Sequence, residues 1–205
     1  EPYRRQRQMC IRDRREIIYQ QRREVLDGKD LKDTILSMTR NAIADHVAMA
    51  FGEAQALDAA GCREMLRGLE GLYFPKDTFQ FTEDDAADKT QQDFTDLFLE
   101  AAEKTYEAKE AEIGTPLMRE LERVIMLRVV DEYWMDHIDA MDDLKQGIRL
   151  RAYANTDPVI AYKQESLTMF EEMVSAIQTE TVRRMFSVRL KKDEDCLLYT
   201  SDAAD

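Results

Sequence analysis

An all-α fold is predicted by three features of this 205-residue chain. Seven glycines and four prolines give too little punctuation for a sheet protein, in which each strand would need its own turn. Apolar residues recur instead at spacings of three and four, which puts them on one face of a helix. The longest such run is Leu117, Leu121, Val124, Leu127, Val130, Trp134, Ile138, Met141 and Leu144, and a second follows with Tyr162, Met169, Met173, Ile177 and Met185. Two seams of this length with a short connection fold back on one another as an antiparallel hairpin.

The two ends, residues 1–14 (EPYRRQRQMCIRDR) and 196–205 (CLLYTSDAAD), share no periodicity with their neighbours. They resemble translated adapter sequence and are set apart as tails, together with 191–195, so the chain reads as a piece of a longer protein. Of the three cysteines, only Cys62 then lies in the body of the chain. A charged helix is expected from Arg15, with Ile17, Ile18, Val25 and Leu26 as its apolar share and Gly28 as terminator. Asp30 is expected to cap a second helix with Asp33 in its first turn. Ile35, Met38, Ala42, Ile43 and Val47 form its buried face, and it ends near Gly52.

Asp58 is the expected cap of a short helix carrying Cys62, Met65, Leu66 and Leu69. LYFPKDTFQF (72–81) reads as aromatic and extended, because Pro75 bars a helix through its middle. Thr82 and Thr90 are candidate caps for the helices that follow, and Phe94, Leu97, Phe98, Ala101 and Tyr106 form one stripe. Gln80 to Ile113 holds eleven acids against three lysines, the pattern of a solvated face. Thr115 and Pro116 then open the long hairpin as cap and first helical residue. At its far end Gly147 can end the first helix, with Lys145 and Arg149 at the negative end of its dipole. Asp157 and Pro158 can start the second, so the tip is expected over 147–157.

A formal net charge of −13 argues against nucleic-acid binding, which calls for a basic footprint. No apolar run approaches the roughly 20 residues of a membrane span; Val124 to Val130 is interrupted by Arg128. Three widely spaced cysteines fit reduced thiols in a cytoplasmic protein. No glycine-rich phosphate loop is present. His46 and His137 are the only histidines. His137 lies among Asp136 and Asp139, whose side chains point to other faces of a helix, so it reads as a polar residue flanking the seam. No catalytic, cofactor or metal residues are identified. The tip stands out: Lys145, Arg149, Arg151 and Lys163 gather around Ile148, Leu150 and Tyr153 in an otherwise acidic chain. Such a loop can touch another macromolecule, or its cations can complement helix ends while its apolar groups pack back on the hairpin. Both readings stay open on the residues alone.

The run Trp134, His137, Met141, Asp142, Leu144, Gln146, Gly147, Ile148, Leu150, Arg151, Tyr153, Ala154, Asp157 and Pro158 closely resembles the C-terminal region of SecA, the ATPase motor of bacterial preprotein translocation. Tyr162, Glu165, Ser166, Met169, Phe170 and Met173 continue the likeness, and 15–26 resembles the later part of that family's long scaffold helix. The resemblance implies the end of the scaffold helix at 15–30, a helical wing domain at 31–113, and the rest of the scaffold at 114–190. The hairpin would be the family's two-helix finger, which enters the cytoplasmic mouth of the SecYEG channel and touches the unfolded preprotein. Ile148, Arg149, Leu150, Arg151 and Tyr153 would be its contacting residues, Tyr153 matching the fingertip tyrosine. ATP and Mg would belong to nucleotide-binding domains not represented in this sequence, and the motor would be cytoplasmic and peripheral at the inner membrane. The competing reading is a free-standing helical interaction or chaperone-like module that uses the same hairpin.

Overall fold

The computed structural model describes residues 11–26, 31–52, 54, 57–82, 89–151 and 158–189. Among these run six helices and no strand: α1 (Ile11–Leu26), α2 (Lys32–Phe51), α3 (Ala59–Leu69), α4 (Gln91–Ile113), α5 (Thr115–Arg151) and α6 (Pro158–Ser187). The all-α expectation is met. α1 begins at Ile11, inside the stretch set apart as a tail. Gly28 and Asp30 lie outside the described residues. The cap position of α2 belongs to Leu31, whose side chain makes no capping bond and is buried; Asp33 does occupy the first turn.

Asp58 caps α3 by accepting from the Gly61 N–H at 2.7 Å, and Cys62, Met65, Leu66 and Leu69 are all buried. The segment after α3 is not simply extended. Gly71, at φ +78°, donates to the Phe74 carbonyl at 2.8 Å, closing a tight turn before Pro75. Phe79 and Phe81 then stack at 6.0 Å and meet Phe98 edge-on. The helix expected after Thr82 lies outside the described residues. Thr90 opens α4 with a reciprocal capping box, its hydroxyl accepting from the Asp93 N–H while Asp93 accepts from the Thr90 N–H.

Two hydrophobic cores result. One gathers Ile43, Val47 and Phe51 of α2, the buried face of α3, Phe94 and Phe98 of α4, and Val182 of α6. The other gathers Ile18 and Val25 of α1, Leu31, Ile35, Tyr106, and the facing sides of α5 and α6. Met38 and Phe186 pack against both. α2 therefore contributes its first turns to one core and its last turns to the other.

The lower part of the α5 seam is rotated from its expected position. Met118, Glu122, Ile125, Met126 and Val129 are buried, whereas Leu117 is 50% exposed and Val124 51% exposed. Leu121 and Leu127 are only partly buried. Residues 117–130 hold nine apolar residues and five charged ones, enough for two stripes one residue apart to compete, and one residue is about 100° of helix rotation. The buried stripe contains a glutamate, which pattern reading discards. Above it the expected residues return: Val130, Trp134 and Met141 are buried and Ile138 packs against the same core. On α6, Met173, Ile177 and Met185 are buried as expected, joined by Ser166, Phe170 and Thr181; Tyr162 and Met169 are partly buried.

Candidate functional site

The longest two helices pack on each other more extensively than any other pair. Their shaft is aromatic at mid-height. Trp134 meets Tyr19 of α1 at 6.4 Å and the His137 ring at 5.6 Å, and His137 meets Phe170 of α6 at 6.0 Å. His137 is thus buried among rings in the shaft. Among the described residues no three His, Cys, Asp or Glu side chains gather as a metal site.

Towards the tip, α5 does not end at Gly147 but runs on to Arg151. A glycine inside a helix costs about 1 kcal/mol. Ile148 beyond it is only 7% exposed, and burying an isoleucine returns about 1.5–3 kcal/mol, so the helix continues. Ile148 is accordingly buried instead of standing free at the tip. Arg149, Leu150 and Arg151 lie on the last turn of α5, and nothing of their side chains is described. Tyr153 and Asp157 lie outside the described residues. Lys145 pairs with Asp142 at 2.5 Å on the exposed surface. Pro158 opens α6 as expected. Val159 and Ile160 after it are 58% and 53% exposed, an apolar step beside the tip that the seam count passed over; Ile160 lies off the Tyr162 face, and Val159, three residues before Tyr162, is exposed although its spacing suits that face.

At the base, a polar cluster replaces apolar packing. α4 and α5 are separated by Gly114 alone, at φ +92°. The Gly114 carbonyl accepts from the Met118 N–H at 3.0 Å, so Gly114, not Thr115, is the residue on which α5 starts. Glu122, with a fully buried side chain, accepts from Arg119 Nη1 through both oxygens at 2.6 and 2.7 Å. It also accepts from the Tyr106 hydroxyl. Arg119 Nη2 donates to Glu110 Oε1, and Glu110 Oε2 accepts from Lys32 at 2.9 Å. Lys32 in turn lies 5.9 Å above the Tyr106 ring. The hydrogen bond from Lys32, followed by that from Arg119, holds Glu110 below the usual carboxylate range, and Glu110 raises Lys32. Burial, with the bond to Glu122 added, pushes the Tyr106 phenol well up. As a polar cluster these residues were missed in the sequence, where only Tyr106 was named, as the end of an apolar stripe. Tyr106 and Glu110 are four apart, and Arg119 and Glu122 three apart, so their helical pairing was legible; that the two pairs meet across Gly114 was not.

Higher on the hairpin, Glu180 accepts from Arg183 and Arg184, and Arg184 reaches across to Glu132 of α5 at 2.9 Å. The Arg183 bond, with Arg184 assisting against partial burial, lowers the Glu180 carboxyl to about 2. Lys109 of α4 donates to the Met185 carbonyl, in the last turn of α6, where a cation suits the helix dipole. No described helix is long and apolar enough to cross a membrane.

A family model described as the SecA Wing and Scaffold domain matches residues 8–189. The match takes in residues 8–14, which the sequence reading had set apart. The chain is 44% identical over 180 residues to the protein translocase subunit SecA of Acetivibrio thermocellus, covering 87% of this chain and 20% of that protein. It is 45% identical over 177 residues to protein translocase subunit SecA 1 of Alkaliphilus metalliredigens, covering 85% and 19%. It is 44% identical over 182 residues to the subunit of Clostridium botulinum strain Okra, covering 89% and 22%. The chain thus spans about a fifth of the length of these relatives. With a helical hairpin, a second helical core and a family match over nearly its whole length, this chain belongs to the SecA wing and scaffold family.

Proposed function

We propose that the chain is the wing-and-scaffold portion of a protein translocase motor, and that the α5–α6 hairpin is the finger that moves unfolded preprotein at the mouth of a SecYEG channel. The observation that carries this reading is the shaft. α5 has 37 residues and α6 has 30, and at about 1.5 Å per residue such helices make a stiff lever of about 45–55 Å. Its core runs from Met118 at the base to Trp134 and Ile138, and Met141 and Ile148 are buried above it. A lever with a packed core transmits motion of its base further along its length, which a loose loop does not. The translocase names of the relatives support the same reading.

At the tip, the tyrosine ring of Tyr153 offers a flat apolar face with a polar rim, able to grip varied polypeptide without demanding one sequence. Leu150 shares that contact, Arg149 and Arg151 face the channel mouth, and Ile148 supports the tip from beneath. ATP and Mg are handled by other parts of such a motor, and its place is at the cytoplasmic face of the inner membrane, held there by the channel. The test is Tyr153→Ala in a full-length translocase that carries this chain as its wing and scaffold. Preprotein translocation should fall while folding and basal ATPase stay near the parent, and a bulky apolar replacement should be milder. Translocation by Tyr153→Ala at the parent rate overturns the gripping role.

A further inference from the structure

We infer that a groove between α4 and the turn after α3 docks a basic segment of a separate polypeptide. An apolar side chain of that segment enters the groove, and its flanking lysines or arginines lie over a row of acids on α4. The inference concerns the core of α2, α3 and α4, and it stands whether or not the hairpin tip touches a channel.

The groove has a volume of about 420 Å³, within the roughly 300–1,000 Å³ typical of ligand pockets. Phe74, Pro75 and Phe79 line it from the turn, and Leu97 and Ala101 line it from α4, with the exposed Glu100 and Lys104 beside them. Its aromatic wall is built before any ligand arrives. Phe74 is buried, stacks on Phe98 at 5.7 Å and meets Phe79 edge-on at 5.1 Å. The Thr78 hydroxyl donates to the Pro75 carbonyl at 2.6 Å, which holds the turn between the two rings. A site so braced needs little ordering when it is filled, and that favours binding.

The charge beside the groove states what the segment carries. Asp96, Glu100, Glu103 and Glu107 follow one another at spacings of four, three and four, which puts them within about 60° on one side of α4. This row borders the groove, because Glu100 belongs to both and Leu97, Ala101 and Lys104 lie next round the helix. Like charges at such spacings destabilise a helix. Among the described residues Lys104 is the one cation in an ion pair with the row, meeting Glu100 at 2.6 Å with both side chains well exposed. A pair so open to water adds little, so an incoming cation can displace Lys104. An apolar groove beside a row of net negative charge complements an apolar side chain set among cations. A second copy of this chain, itself at −13, would be repelled.

The probe is a fluorescein-labelled pentapeptide with a phenylalanine between two pairs of lysines, titrated with the full chain and read by anisotropy. It should bind the parent saturably, and a peptide with serine in place of the phenylalanine should bind about tenfold more weakly or worse. Ala101→Leu and Thr105→Leu, which fill the groove, should each weaken the first peptide to a similar degree at unchanged helical circular dichroism. Asp96→Asn, Glu103→Gln and Glu107→Gln together should weaken it and flatten its salt dependence. No binding by the parent overturns the proposal. Equal binding of the serine peptide marks diffuse attraction to an acidic chain and overturns it too, as does parental affinity in a folded Ala101→Leu or Thr105→Leu chain. If one filled variant fails to fold the other decides, and the serine peptide needs neither. A parental dimer in sedimentation that Ala101→Leu dissolves gives the groove to a second copy. Loss of peptide binding in a full-length translocase that carries this chain gives it to another part of the same polypeptide, and either result overturns the separate partner.

Discussion

Replacing Gly68 by Ala sets two effects of opposite sign against each other. Gly68 lies in the last turn of α3. Exchanging glycine for alanine in a helix is favourable by about 0.8–1 kcal/mol in the interior, and less near an end. Here the new Cβ would lie 2.3 Å from Cε1 and 2.7 Å from Nε2 of His46 on α2. The ring cannot simply swing aside, because Nε2 donates to the Met65 carbonyl at 3.0 Å. Crowding of this kind costs about 1–3 kcal/mol, and losing the hydrogen bond about 0.5–1.5 kcal/mol more. The clash wins, and Gly68→Ala should destabilise the chain by about 1–3 kcal/mol. Urea denaturation of the parent, the two single variants and the pair would measure it. In the His46→Ala background the obstacle is gone, so the same change should become stabilising by up to about 1 kcal/mol. Equal destabilisation in both backgrounds would refute the contact as the cause.

Trp134→Ala removes a ring that is 9% exposed in the shaft and should cost about 3–5 kcal/mol, read as a clear drop in melting temperature; an unchanged melt means the indole is not part of the core. The rotated seam is tested by a pair on α5. Val124→Ser should stay within about 0.5 kcal/mol of the parent, while Ile125→Ala should cost about 2–5 kcal/mol, and the reverse order would return the seam to its sequence-predicted face. Glu180 titrates at about 2 when folded against 4.5 unperturbed. A depressed folded value means that its stabilisation is complete above the unfolded value and is lost as pH falls through the folded one. Glu180→Gln should thus be less stable than the parent by about 1–3 kcal/mol at neutral pH, the gap closing as pH falls from 4.5 towards 2; a gap independent of pH would count against it.

Elements governed by local chemistry were legible in the sequence. Asp58 and Thr90 cap α3 and α4 because their side chains reach N–H groups three residues on, a contact that needs no tertiary information. Pro158 marks the start of α6 for the same reason. Where two elements meet, the pattern ran out. Gly147 has the chemistry of a helix terminator, yet the burial of Ile148 carries α5 past it. Leu31 takes the cap position of α2 without a capping side chain, because its burial in the hairpin core does the work. At the site, the spacing of Val159 to Tyr162 suits the seam and that of Ile160 does not, and only the packing of α6 shows that both stay outside.

Glu122 explains the largest departure from the sequence reading, the rotated base of α5. Read as a period, α5 rejects the stripe that contains it and prefers Leu117 and Val124, which are half exposed. The stripe with the glutamate wins because Tyr106 and Arg119 satisfy both carboxylate oxygens, removing the penalty that would otherwise exclude a buried acid. That choice governs the lower turns only: from Val130 upward the expected face is buried again, and there the ring contacts of Trp134 with Tyr19 and of His137 with Phe170 hold the orientation of α5. Directional polar bonds thus set the orientation of the base and aromatic packing sets that of the shaft, below the last turn of α5 on which Arg149, Leu150 and Arg151 lie.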